Sequence, residues 1–185
     1  IIGSQAGESL TSGGSNMFIG RQAGDGHDTE NHNIGIGRDA LGGPINGGEY
    51  NVAVGNDTLE SLTSGDYNVA IGYQAGDAIT TGSENVLYGK GAGGAITTGS
   101  NNVMIGMNAG DGFDEEGENI GIGTNTLGGS IAGGENNVAM GNNALDALTA
   151  GDHNVAIGHD ASTNATTAVN TVGIGRLALR DMTTG

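Results

Sequence analysis

The stretch Asn68-Val69-Ala70-Ile71-Gly72 decides the fold, because close copies of it run through the whole chain. Ile1-Ile2-Gly3 ends one copy, and the others begin at Asn16, Asn33, Asn51, Asn68, Asn85, Asn102, Asn119, Asn137, Asn154 and Thr171. Most copies are spaced as Asn51 and Asn68 are, and the spacing is wider by a single position after Asn33 and after Asn119. A fixed period this short predicts a solenoid, in which each repeat forms one coil that stacks on its neighbours.

The coil that starts at Asn68 shows one short strand followed by turns. Val69 and Ile71 alternate with Ala70, which is the period-two pattern of a β-strand. We predict that the Val and the Ile point inward and form a thin aliphatic core with an Ala and a later Leu or Ile. The predicted fold class is therefore all-β: a parallel β-solenoid (β-roll or β-helix) of about eleven coils, each of about seventeen to eighteen residues.

The Asn that heads each strand has two interpretations. Asn commonly forms tight turns, which would give each copy a purely local role. Alternatively, the side-chain amides of stacked coils bond to those above and below and form a ladder. Because the Asn recurs as a column, we favour the ladder.

Composition limits the partners of the chain. Its 185 residues include 21 Asp or Glu and only 5 Lys or Arg, for a net charge of −16. Such a surface repels phosphates and anionic membranes, so we expect no nucleic-acid partner and no direct membrane insertion. There is no cysteine, so disulfides cannot stabilise the coils.

We expect a single repeat array over residues 1–185, because a solenoid grows by adding coils rather than domains. A five-coil block is duplicated within it, since residues 16–101 are echoed by residues 102–185. Active sites are usually unique, so the duplication favours a scaffold. The sequence opens and stops inside a repeat, and we therefore expect it to be part of a longer fibre.

The middle residue of each strand is the most informative position. In a monomeric solenoid it should be polar if it faces water, yet no copy has a polar residue there. A strand that is apolar on both sides is buried on both sides. We therefore predict that this row packs against identical chains around a parallel axis, through Phe18, Ala53, Ala70, Leu87, Met104, Ala139 and Ala156. The alternatives are an apolar face that stays exposed and a second sheet from elsewhere in a longer chain.

These repeats resemble two related groups of proteins. The stretches that carry the resemblance are Asn-Val-Ala-Ile-Gly and Thr-Thr-Gly-Ser-Asn-Asn-Val. One group they look like is the head repeat of trimeric autotransporter adhesins. The other is a repeat of phage tail fibres, found upstream of endosialidase-type chaperone domains. The resemblance covers essentially the whole chain, although the adhesin repeat is shorter than the repeat of this sequence. It implies a left-handed coil, a side-by-side homotrimer, adhesion, and an extracellular location on a virion appendage or a cell surface.

Residues for catalysis are hard to find. The four histidines, at positions 27, 32, 153 and 159, lack metal-ligand spacing. Paired carboxylates can hydrolyse glycans, as solenoid tailspikes do. However, the chain has no Trp, 4 Tyr and 2 Phe, which leaves little to form a sugar-binding groove. We predict no enzyme activity and no catalytic residue.

One acidic loop, residues 111–118, is a candidate calcium site. Asp111, Asp114 and Glu116 place three carboxylates on a glycine-flexible turn, and calcium prefers six to eight oxygen ligands. A solvated acidic turn is the alternative, because the spacing is not that of an EF-hand. No other cofactor is expected.

An interrupted basic column follows the strand Gly. Arg21, Arg38, Lys90 and Arg176 all occupy this position. The column could bind an anionic glycan, but we favour salt bridges to acidic residues of the same or a neighbouring chain.

The predicted function is that of a structural and adhesive segment of an extracellular trimeric fibre, such as a phage tail fibre or bacterial surface adhesin. It would mediate attachment to a host or surface, with the chain itself and a cell-surface receptor or glycan as partners. The alternative is a solenoid that binds a regular surface such as ice, for which Thr63, Thr80 and Thr97 belong to an incomplete threonine row. A polysaccharide-degrading tailspike is a third, weaker hypothesis.

Overall fold

A computed structural model describes residues 1–112, 114–129 and 134–184. Ten three-residue strands pair in parallel and in sequence order to form a single sheet. They are β1 Met17–Ile19, β2 Ile34–Ile36, β3 Val52–Val54, β4 Val69–Ile71, β5 Val86–Tyr88, β6 Val103–Ile105, β7 Ile120–Ile122, β8 Val138–Met140, β9 Val155–Ile157 and β10 Val172–Ile174. The chain is therefore an all-β parallel solenoid, and no helix of the described residues could cross a membrane.

The two sides of each strand are reversed relative to the prediction. The middle residue is buried in all ten strands, whereas the first and third residues are partly or fully exposed. In β6, Met104 is 0% exposed, while Val103 and Ile105 face outward. The predicted oligomer-interface residues instead belong to the core of their own chain, where all are 0% exposed: Phe18, Ala53, Ala70, Leu87, Met104, Ala139 and Ala156.

The core has room for the middle residues of the strands because each of them shares its space with a later residue of the same coil. Leu87 is large and lies over Gly93, where a Cβ would come within 2.7 Å of a Leu87 methyl carbon. Elsewhere the sizes are exchanged, since the small Ala53 is followed in the same coil by the large, buried Leu59. The same exchange relates Phe18 to Gly24, Gly35 to Leu41, Met104 to Gly110, Gly121 to Leu127, and Ala139 to Leu145. Close packing of a thin core requires this complementarity.

The asparagine ladder is confirmed. The Asn68 Oδ1 accepts the backbone N–H of Asn85 at 3.1 Å and its Nδ2–H at 3.0 Å. The Asn85 Nδ2 also donates to the Gly99 carbonyl oxygen at 2.9 Å, which ties the start of the coil to its end. Because these side chains are fully buried, each bond satisfies a group that water cannot reach.

The strand Gly is required by the close stacking of coils. Gly72 has a φ of +138°, which L side chains rarely adopt. A Cβ at this position would also overlap the carbonyl oxygen of Gly89 in the next coil. The Gly therefore ends the strand and permits the neighbouring backbone to approach.

Candidate functional site

The outward side of the sheet is a continuous apolar surface, which we call the sheet face. It consists of the first and third residues of the ten strands, and all of these are Val, Ile, Met or Tyr. β5 contributes Val86 and Tyr88, which are 40% and 57% exposed. With nine steps of about 4.8 Å between strands, the sheet face is about 43 Å long. Contiguous apolar surfaces of this extent are typical of interaction sites in other proteins.

Two columns border the sheet face. The entry column contains the residues directly before the strand Asn (Thr171 in the last coil), and the exit column contains those directly after the strand Gly. Between β1 and β10 the entry column reads Ser15, His32, Tyr50, Tyr67, Glu84, Asn101, Glu118, Asn136, His153 and Asn170. The exit column reads Arg21, Arg38, Asn56, Tyr73, Lys90, Met107, Thr124, Asn142, His159 and Arg176. The permanently charged residues are acidic in the first column and basic in the second.

The basic column is partly paired within the chain. The Arg38 guanidinium contacts the Asp39 carboxylate at 2.6 Å and the Asp57 carboxylate at 2.7 Å, while Arg21 approaches Asp39 at 3.5 Å. These contacts match the predicted salt bridges for the two arginines. Across the described ranges, Lys90 has no such partner.

Exposed aromatic side chains gather around the middle strands. All four tyrosines lie between residues 50 and 88, and all are at least 43% exposed. The rings of Tyr50 and Tyr67 stack with centroids 5.0 Å apart, and His32 stacks on Tyr50 at 4.7 Å. The exposed aromatic side chains therefore surround β3–β5, and Tyr is enriched in protein interfaces.

Two of the three residues of the calcium prediction line one depression, and the third is buried in its own turn. Glu116 is 6% exposed, and its Oε2 accepts the N–H groups of Asp114 at 2.9 Å and Glu115 at 3.1 Å, so it stabilises its own turn. Asp111 and Asp114 line a shallow depression of about 440 Å³ with Ala95, Thr97, Gly112 and Gly128. Burial raises the pKa of Asp111, and the Asp146 carboxylate raises it further. No three acidic or histidine side chains in the described part of the chain form a group that could hold a metal ion.

The threonine row is also used within the chain. The Thr63 hydroxyl donates to the carbonyl oxygen of Thr80 at 2.8 Å, and Thr80 donates to that of Thr97 at 3.1 Å. These hydroxyl groups therefore link successive coils, and their hydrogens are not directed to an external surface.

His27 is a buried residue that sequence analysis had no reason to single out. It is 0% exposed, packs against the Phe18 ring at 4.7 Å, and has no hydrogen-bond partner at either ring nitrogen among the described residues. It occupies the core position that Leu62 and Ile79 hold in other coils. Burial lowers the pKa of His27 from 6.5 to about 4.

This burial makes the fold sensitive to acid. Above pH 6.5 His27 is neutral in both folded and unfolded chains, so it contributes no pH dependence. Between pH 6.5 and 4 the unfolded chain binds the proton more readily, and the folded state loses up to about 3 kcal/mol. We expect His27→Leu to remove this loss in denaturant titrations at pH 7 and pH 4.5.

The exposed His153 supplies the matched control. His153→Gln should leave the acid-dependent loss of stability unchanged. An undiminished acid loss in His27→Leu would show that other groups cause it.

Comparison with known proteins finds no matching family model, no matching curated protein and no matching solved structure.

Proposed function

We propose that this chain is a structural and adhesive segment of an extracellular homotrimeric fibre, of the kind found in phage tail fibres and bacterial surface adhesins. In this proposal about eleven left-handed coils stack along the fibre, and three copies lie side by side. The segment would attach the fibre to a host cell surface, through a receptor or glycan. One observation carries the proposal: the sheet face exposes apolar side chains along the whole array.

A second copy is the partner that fits this surface best. The sheet face has no charged residue, whereas the chain carries a net charge of −16, so identical chains repel least when they meet there. Another copy also has the same spacing of about 4.8 Å between side-chain rows, which allows every row to meet an equivalent one. Closed symmetry around an axis parallel to the solenoid buries the entire sheet face.

Binding to ice is the alternative function. It would use a flat array of regularly spaced groups, and the threonine row is the feature that favours it. Because the Thr63 and Thr80 hydroxyl hydrogens are engaged by the next coil, we rank this function second. Thermal hysteresis in a solution of the protein would favour it over the fibre. A polysaccharide-degrading tailspike ranks third, and release of reducing sugar from a glycan would support it.

The proposal predicts that Ile105→Asp separates the copies without unfolding them. Ile105 faces outward on β6, so in a single chain its replacement adds a solvated carboxylate. In the assembly, symmetry places several like charges close together in an apolar interface, which costs several kcal/mol. Light scattering should give the 18.2 kDa mass of one chain, with an unchanged circular dichroism spectrum.

Thr98→Asp, on an exposed turn outside the sheet face, is the control and should keep the assembled mass. If Ile105→Asp retains the mass and melting temperature of the unmodified protein, the sheet face is not the interface.

A further inference from the structure

We propose that the copies pack in parallel and in register, with an ion pair between Glu84 of one copy and Lys90 of the next. This inference rests on the proposed homotrimer, and it adds the residues that pair across each interface. Glu84 and Lys90 stand at the two ends of the same strand, β5. They belong to the entry column and the exit column respectively.

Both side chains are exposed and lack ionic partners in their own chain. Lys90 and Glu84 make no salt bridge within the described residues, although the chain has 21 acidic groups. By contrast, Arg21, Arg38 and Arg180 each contact an Asp, while Arg176 in the last coil also makes no salt bridge among the described residues. The chain from Glu84 to Lys90 can span up to about 20 Å between their Cα atoms, so the two residues can stand at opposite borders of the sheet face. A lysine left unpaired at the edge of an apolar surface is suited to a carboxylate from outside.

Symmetry decides which columns meet. Rotation about an axis parallel to the solenoid turns the entry column of one copy toward the exit column of the next, at the same strand level. A two-fold axis perpendicular to the solenoid would instead bring entry column to entry column. The first arrangement joins opposite charges at β5, where Glu84 meets Lys90, while at β7 Glu118 meets the uncharged Thr124. The second arrangement cannot form the Glu84–Lys90 pair, because it keeps the entry columns together and the exit columns together.

The residues at two other levels, those of β4 and β8, also match under the parallel arrangement. At β4 the entry residue Tyr67 would meet Tyr73, and these side chains are 55% and 45% exposed. At β8 the entry residue Asn136 would meet Asn142, so that amide faces amide. Aromatic pairs and hydrogen-bonding amides are favourable contacts between chains. A shift by one coil would replace the Glu84–Lys90 pair with Glu84 against the exit residue of a neighbouring coil, Tyr or Met, so the ion pair fixes the register.

Charge exchange tests this pairing. Glu84→Lys and Lys90→Glu should each weaken association of the copies about tenfold or more, since each variant places like charges at every interface. The double variant Glu84→Lys/Lys90→Glu restores opposite charges and should recover the affinity of the unmodified protein. An equimolar mixture of the two single variants should form mixed assemblies, detectable by native mass spectrometry when one variant carries an isotope label.

Glu115→Lys is the control, because it makes the same change of charge on an exposed turn away from both columns, and it should leave association unchanged. If the unmodified protein is a monomer, the proposed function fails. If the unmodified protein is a trimer and neither single exchange weakens it, or the double variant does not recover the affinity, the Glu84–Lys90 pairing is overturned while the trimer stands.

Discussion

Replacing Met104 with Asp is expected to unfold the middle of the solenoid. Met104 is fully buried, and its Sδ lies 2.5 Å from where a Cβ on Gly110 would stand and 2.9 Å from one on Gly121. An Asp there would place a carboxylate in an apolar core without a partner, at a cost of several kcal/mol. Because a coil is stabilised by its neighbours, the loss should spread to adjoining coils. Circular dichroism melting should show a large fall in melting temperature or loss of the folded signal.

The adjacent Ile105→Asp is the matched comparison, because it makes a similar change at the next position of the same strand. It should leave the strand signal of the chain intact. The opposite pattern, with Met104→Asp folded and Ile105→Asp unfolded, would restore the strand orientation that the sequence suggested.

Replacing Asn85 with Leu should also destabilise the chain severely. Leu branches at Cγ as Asn does but removes the acceptor of the Asn102 N–H (3.0 Å) and the donor to the Gly99 carbonyl (2.9 Å). Each buried polar group left unpaired costs about 1–3 kcal/mol, so we expect a loss of about 2–6 kcal/mol. Urea titration followed by circular dichroism would measure it.

Asn142→Thr serves as the control for this prediction. Asn142 is exposed, and its Oδ1 accepts the N–H of Thr124 at 3.0 Å where water can replace it, so the change should cost no more than about 1 kcal/mol. Equal stabilities of Asn85→Leu and the unmodified protein would mean that the ladder does not hold the coils together.

The repeat itself made much of this fold predictable. The regular spacing of the copies, the short strand and the glycine after it correspond to the parallel coils in the structure. The asparagine column predicted the ladder for a physical reason, since a polar residue repeated at one level in every coil can satisfy itself only along the stack. The predicted core positions of an Ala and of a later Leu or Ile are also buried, as Ala75 and Ile79 show.

The orientation of the strands was not predicted, because alternation separates two sides without telling which is inside. The larger Val69 and Ile71 were assigned to the core, but the narrow coil has room there for Ala70. A usable signal was present in the exchange of size between two positions in most coils, as the pairs Leu87 with Gly93 and Ala53 with Leu59 show. The coil of Ala70 is an exception, because Gly76 is also small and the space there is filled by Leu59 and Leu87 of the adjoining coils. Only residues that share a space need to compensate each other in volume.

The local chemistry was less predictable still. A sequence shows that Glu116 is acidic, but not that its carboxylate turns back to the N–H groups of Asp114 and Glu115. Likewise, His27 reads as one more polar turn residue unless it is aligned with Leu62 and Ile79 in the other coils. The first outcome depends on the backbone conformation of one turn and the second on the stacking of coils, and residue type alone shows neither.

The most direct test of the central claim is the molar mass of the unmodified protein, measured by sedimentation equilibrium across the micromolar range. If the sheet face joins copies side by side, the mass should be three times the 18.2 kDa of one chain. A mass of 18.2 kDa throughout this range would contradict the account, because the sheet face would then remain exposed to water.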